Sequence, residues 1–276
     1  MTKKKKNDKD KKKKQKLPEF NKYYYYENSV QSPESDVEFF ENTYKKLRGK
    51  AATTLREDFC GTHMICCEWL KLAEDKKAIG VELDPEPIEY GRQVHEAKLN
   101  DDQLKRLSVL QENVLSKGLP KADIVSASNF SYFLFKKRED LKAYFANAKR
   151  GVNKDGIFII DCFGGQQCMT PNEEETEHKG YSYFWDQDSF NPVTNEAMFY
   201  IHFKRKGEKK RKKCFVYDWR MWGLAELQDL LYEVGFNKVT VYWEGSDKDG
   251  EGNGIFKPTT KGDDAEAWVA YIVSEL

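Results

Sequence analysis

Signals for a metal site, a disulfide frame and a membrane span are all missing from this 276-residue sequence. Its six cysteines (Cys60, Cys66, Cys67, Cys162, Cys168 and Cys214) show no CxxC spacing. Several lie in apolar surroundings, as reduced thiols of a cytosolic protein do. No apolar stretch approaches the roughly 18–20 residues needed to cross a bilayer, and the lysine-rich start lacks the apolar region of a secretory signal. We therefore expect no metal, no membrane contact and a cytoplasmic location, with a nuclear one open through the lysine run. Net charge is absent too, since 46 basic residues balance 46 acidic ones. The balance is uneven. Residues 1–16 hold ten lysines against Asp8 and Asp10, a local +8, so residues 17–276 carry −8. A folded nucleic-acid binder usually carries its positive charge on the domain itself. Here it sits in a stretch with nothing to bury, which predicts a disordered tail over residues 1–19.

The remainder, residues 20–276, has material for a core, and its length suits one large α/β domain. Phe39, Phe40, Thr43, Tyr44 and Leu47 recur at helical spacing after a cap at Ser35 or Asp36, and Gly49 ends that helix. An alternation follows. Strands are expected at 51–56, 77–83, 107–111, 122–126 and 156–162, with helices at 63–73, 85–98 and 137–148. Continuous apolar strands between helices imply a parallel sheet covered on both faces. Residues 165–222 break the alternation: Tyr181–Asp186, Ala197–Lys206 and Arg211–Trp219 read as an antiparallel insertion. A helix at 224–234 and strands at 238–243 and 267–272 close the chain, with a glycine- and acid-rich loop at 245–254.

The informative residues fall at strand carboxyl ends, where open α/β sheets bind ligands. The first strand runs into Glu57-Asp58-Phe59-Cys60-Gly61-Thr62-His63. Gly61 lets the backbone approach a ligand, and the acids suit an ammonium group better than a pyrophosphate. The turn also lacks the glycines that a nicotinamide dinucleotide needs. Glu82, in Gly80-Val81-Glu82-Leu83-Asp84-Pro85, ends the second strand about 25 residues later, where a carboxylate can accept both ribose hydroxyls. Asn113 and Val114 follow the third strand, where an amide would meet an adenine edge; Asn129-Phe130-Ser131-Tyr132 follows the fourth.

The chain resembles class I S-adenosylmethionine-dependent methyltransferases over roughly residues 50–165, with 220–276 as the closing sheet elements. Glu57 through His63 stands where that family has an acid followed by G-x-G-x-G, with Phe59 at the first glycine and His63 at the third. LREDFCGT, SVQSPE, NFSY, YDWRMW, and YWEG followed by GEGNG resemble the blocks of a largely uncharacterised methyltransferase family. The resemblance implies a Rossmann-like, seven-stranded, mostly parallel sheet with the antiparallel insertion after the fifth strand, and S-adenosylmethionine as cofactor. It puts Glu57 and Gly61 at the methionine end, Glu82 at the ribose and Asn113 at the adenine, with Asp58, Thr62, Leu83, Val114 and Asn129 also among the cofactor-binding residues. Asn129 and Tyr132 also match the ends of the N-P-P-Y signature for nitrogen methylation, with both prolines missing.

The insertion is dense in aromatics, which suit both a small β-layer core and the walls of a site for a sulfonium. Tyr132, Trp185 and Trp219 are the expected substrate walls. Arg220 would hold a substrate carboxylate or phosphate; Glu244 would hold an amine instead. His63 and His202 are candidate bases, though a lone histidine is more often structural. Three functions compete: methylation of a small molecule in a closed aromatic pocket; methylation of RNA or protein, gripped by the lysine run and the eight basic residues of 204–213; and cofactor binding without turnover.

Overall fold

The computed structural model of the protein describes residues 17–248 and 252–276. The lysine run at 1–16, and with it most of the expected tail, lies outside the described residues. So do residues 249–251 of the glycine- and acid-rich loop.

Two helices precede the first strand, α1 (Lys22–Val30) and α2 (Pro33–Arg48). Helix α2 starts earlier than expected. Ser32 is its N-cap residue and Pro33 takes the first helical position, where a missing N–H is harmless. Val37, Phe40, Thr43 and Tyr44 form its buried face, and Gly49 terminates it in a left-handed conformation, its N–H on the Lys45 carbonyl at 2.8 Å. Phe40 is fully buried, worth about 1.5–3 kcal/mol.

The central sheet combines β1 (Thr54–Asp58), β2 (Lys77–Glu82), β3 (Leu107–Gln111), β4 (Ala122–Ala127) and β5 (Val152–Gly164) with three late strands, β10 (Lys238–Ser246), β11 (Gly252–Thr259) and β12 (Trp268–Glu275). Its order is β11-β10-β12-β5-β4-β1-β2-β3. The pairs from β5 to β3 are parallel, and those involving β10, β11 and β12 are antiparallel. Helix α2 and α3 (Met64–Trp69) cover one face, while α6 (Arg138–Gly151) and α7 (Leu224–Glu233) cover the other. α4 (Pro85–Val94) and α5 (Asp101–Lys105) complete the crossover from β2 to β3.

The sheet has eight strands rather than the expected seven. The second half of the glycine-rich loop is β11, pairing with β10 at the edge. Backbone pairing needs no side-chain pattern, so glycines hid it. The insertion likewise has four strands rather than three: β6 (Asn172–His178), β7 (Tyr181–Asn191), β8 (Glu196–Arg205) and β9 (Arg211–Arg220) form an antiparallel meander in that order. Strand β6 reads NEEETEH; a charged edge strand has no buried face to reveal it. The helix expected at 63–73 contracts at both ends to α3: His63, left-handed, is its N-cap residue, and Leu70 is its C-cap.

Candidate functional site

At the end of β1, adjacent side chains point to opposite faces. Glu57 turns one way and is buried, its carboxylate accepting from the Cys66 thiol at 3.2 Å. Burial without a cation pushes its pKa up to about 8. Asp58 turns the other way, into the core. Its oxygens accept from Arg56 Nε and Nη2 at 2.9 and 3.1 Å and from the Tyr144 hydroxyl at 3.2 Å. Asp58, expected at the cofactor, is instead the counter-ion of a fully buried arginine.

The turn after β1 has a distinctive backbone. Phe59, Gly61 and His63 stand at φ 58°, 52° and 46°. These are the three positions that the resemblance aligns with the glycines of G-x-G-x-G. The left-handed conformation is kept, although only one residue is suited to it. His63 is fully enclosed. Its Nε2 lies 3.2 Å from Glu96 without hydrogen-bond alignment, its Nδ1 has no partner among the described residues, and burial lowers its pKa to about 4. It is a neutral packing group, not an accessible base. Helix α4 fits over it because residue 91 is glycine: a Cβ there would come within 2.2 Å of the Thr62 carbonyl and 2.3 Å of the His63 ring.

Glu82 ends β2 beside this turn. One of its oxygens accepts from the Gly61 N–H at 3.0 Å, the other from the N–H groups of Leu83 and Asp84 at 2.8 and 2.9 Å. Leu83 is exposed, as is Leu115 near the end of the neighbouring β3. Asn113 is exposed at that strand end, its side-chain oxygen accepting from Leu115 N–H at 2.8 Å. Val114 is buried beneath it and offers only its carbonyl, which Asn147 occupies at 2.6 Å.

The segment after β4 is shaped by a residue the sequence did not single out. Asp161 of β5 accepts from the N–H groups of Asn129 and Phe130 at 2.6 and 2.9 Å, and both residues stand at φ 57°. Burial raises the Asp161 pKa to about 7 despite these bonds. Tyr132, expected as a substrate wall, is fully buried below the rim and donates to the Asp161 carbonyl at 2.7 Å.

Above the rim lies a cavity of about 360 Å³ between the two sheets. Asn129 and Phe130 border it from the central sheet, Trp185 and Trp219 from the insertion, and Glu244 and Trp268 from β10 and β12. Trp185, Trp219 and Glu244, expected at the substrate, therefore meet, joined by Asn129, expected at the cofactor. Arg220 does not join them. Its Nη2 donates to Glu226 at 3.0 Å, its Nη1 to the Lys136 carbonyl at 3.2 Å, and the guanidinium lies 3.8 Å over the Trp222 ring.

Helix α1 closes the other side. The buried Glu27 accepts from the Thr62 hydroxyl at 2.5 Å, and its Oε1 lies 2.7 Å from His95 Nε2. Thr62 thus faces α1. Tyr25 and Tyr26 pack on Phe203 and Phe215 of the insertion, and Tyr26 borders the cavity. Sequence reasoning missed α1 because its run of tyrosines shows no periodicity.

Four of the eight basic residues of the hairpin are engaged within the fold. Arg205 pairs with Glu208 at 2.5 Å and Lys210 with Glu173 at 2.6 Å; Arg211 and Lys213 lie over Phe20 and Tyr200. His202 lies on the face of β8 away from the cavity. Lys213 N–H donates to its Nδ1 at 2.9 Å, so its proton is on Nε2, directed at Asp186 Oδ2 3.0 Å away. Glu173, Asp186 and His202 are close enough to share an ion, but a metal on Nε2 would compete with the proton this arrangement requires. Among the described residues no helix is long and apolar enough to cross a membrane.

No family model matches the chain, and neither does any curated protein sequence. Solved structures do share its fold. One is a S-adenosylmethionine-dependent methyltransferase from Clostridium acetobutylicum, with TM-score 0.66 and 15% identity over 92% of this chain and 97% of that one. Another is an amino pentose methyltransferase from Micromonospora echinaspora, with TM-score 0.64 and 12% identity over 95% and 100%. A third is a sugar N-methyltransferase from a Streptoalloteichus species, with TM-score 0.62 and 16% identity over 95% and 94%. At these identities the likeness is one of fold.

Proposed function

We propose that this chain is an S-adenosylmethionine-dependent methyltransferase acting on a small molecule held in the cavity between the sheets. One observation carries the reading: the left-handed turn at Phe59, Gly61 and His63, flanked by the carboxylates of Glu57 and Glu82 at the ends of adjacent strands. The residues present fit the cofactor. Glu57 is a buried acid without a cation, suited to the positive methionine end. Glu82 is suited to the ribose, and the exposed Leu83 and Leu115 offer apolar surface to a purine. When bound, the cofactor would supply a methyl carbon activated on a sulfonium, open to displacement by an acceptor's lone pair. The chain contributes alignment and exclusion of water by aromatic walls. The solved structures of similar fold include methyltransferases of sugars, which supports a small acceptor. The engagement of the basic hairpin with Glu173, Glu208 and aromatic rings weakens the case for RNA.

Titration calorimetry with S-adenosylmethionine and S-adenosylhomocysteine tests the reading. Wild type should bind both, and Glu82→Gln should weaken binding about tenfold, or about 1.4 kcal/mol. Absence of binding by folded wild type would remove the cofactor and the function with it.

A further inference from the structure

The sequence left two acceptor chemistries open: an anion held by Arg220, or an amine held by Glu244. Arg220 is directed at Glu226, Lys136 and Trp222, away from the cavity. Among the described residues, no lysine, arginine or histidine lines the cavity at all. Its charged groups are Glu244 and, at the exposed mouth, Glu174. Glu244 accepts from Gly254 N–H at 2.8 Å through Oε1. An anion here would meet two carboxylates and no counter-charge.

Gln187 sharpens the argument. It lines the cavity, is only 6% exposed, and its Nε2 is directed at the Gln167 carbonyl at 3.4 Å. Its Oε1 is buried with no hydrogen-bond partner among the described residues. A buried amide oxygen without a donor is unfavourable, and a ligand N–H would satisfy it. The surrounding walls are aromatic, chiefly Trp185, Trp219, Tyr183 and Tyr217, and the faces of such rings attract cations.

We propose that the cavity is a binding site for a small organic amine in its ammonium form, with Gln187 Oε1 and Glu244 as acceptors among the aromatic faces. The volume of about 360 Å³ suits a single ring bearing the amine rather than a polymer. The proposal rests on the methyltransferase reading only for the fate of the amine, which would have to release a proton to solvent before its lone pair could take a methyl group; binding itself needs no cofactor.

The test uses three probes that share one ring and differ in charge: benzylamine, benzyl alcohol and benzoate. Each is titrated into the full chain at neutral pH without cofactor, followed by ligand-observed saturation-transfer NMR. Benzylamine should bind about tenfold or more tightly than benzyl alcohol, and benzoate should bind more weakly than either. Gln187→Leu, of similar volume, and Glu244→Gln, which keeps an acceptor for Gly254 N–H, should each weaken benzylamine about fivefold while leaving benzyl alcohol nearly unchanged. Equal affinity for amine and alcohol, a preference for benzoate, or no binding of benzylamine would overturn the proposal. Calorimetry with S-adenosylmethionine on the same sample separates the two readings: cofactor binding alongside silence toward benzylamine sinks the amine site alone.

Discussion

Asp161 accepts from the amides of two consecutive left-handed residues, Asn129 and Phe130. Asparagine tolerates that conformation; phenylalanine does so at roughly 1–3 kcal/mol. Hydrogen bonds to a charged or partly charged acceptor, each worth about 1.5–3 kcal/mol, offset it. Asp161→Ala should therefore destabilise the protein by about 2–3 kcal/mol, with Asp161→Asn milder, read as a shift in urea midpoint at unchanged slope. Gly91→Ala acts by steric means on the neighbouring turn. With the Thr62 carbonyl and His63 ring in the way, it should lower stability by about 1–3 kcal/mol, measured in the same way. At this scale the sequence was legible where a residue type carries its own chemistry. Glu82 after an apolar strand and Gly61 in a turn could be read directly. Asp161 could not, because its partners are backbone N–H groups some thirty residues earlier in the chain and no residue letter records φ. Asp58 and Tyr132 were misread for a related reason: a side chain's face depends on a one-residue phase that the motif itself does not show.

Helix α1 ties together parts of the molecule that are otherwise separate. Its Glu27 reaches the turn after β1 and His95 beyond α4, while Tyr25 and Tyr26 pack on the insertion. The anchor is a buried carboxylate, so its partners would lose their acceptor in Glu27→Ala. We expect that variant to lose about 1–3 kcal/mol. In hydrogen exchange its α1 amides should lose more protection than those of β4 and β5; equal loss along the chain would mean that α1 has no separate opening. Elements with strong periodicity, such as α2 and α7, were legible in the sequence, as were the apolar strands of the parallel sheet. Those held by backbone pairing, β6 and β11, or by aromatic packing and a single buried carboxylate, α1, were not.

Across the whole molecule, buried acids outnumber their counter-charges at the rim, which makes stability depend on pH. Glu57 and Asp161 keep their protons in the fold up to about pH 8 and 7 and lose them near pH 4 when unfolded. Between those limits the folded state binds more protons, so stability falls as pH rises. His63, near 4 in the fold, has the opposite slope, but only below its unfolded value of about 6.5. Above that value the acids act unopposed. Without ligand, thermal stability should decline from pH 6.5 to 8, by about 1–2 kcal/mol. Glu57→Gln should flatten much of this slope, and a flat wild-type profile would show that the acid is not buried as described.

The same architecture divides the six tryptophans into optical classes. Trp185, Trp219 and Trp268 border the cavity, and Trp243 lies tilted against Trp268 with ring centroids 5.2 Å apart. Trp69 and Trp222 are buried in the core, each with its indole N–H directed at a backbone carbonyl. A molecule entering between the sheets changes the surroundings of the first class and leaves those of the second as they were. The protein's own fluorescence thus reports occupancy through one set of indoles and unfolding through the other, with no label added.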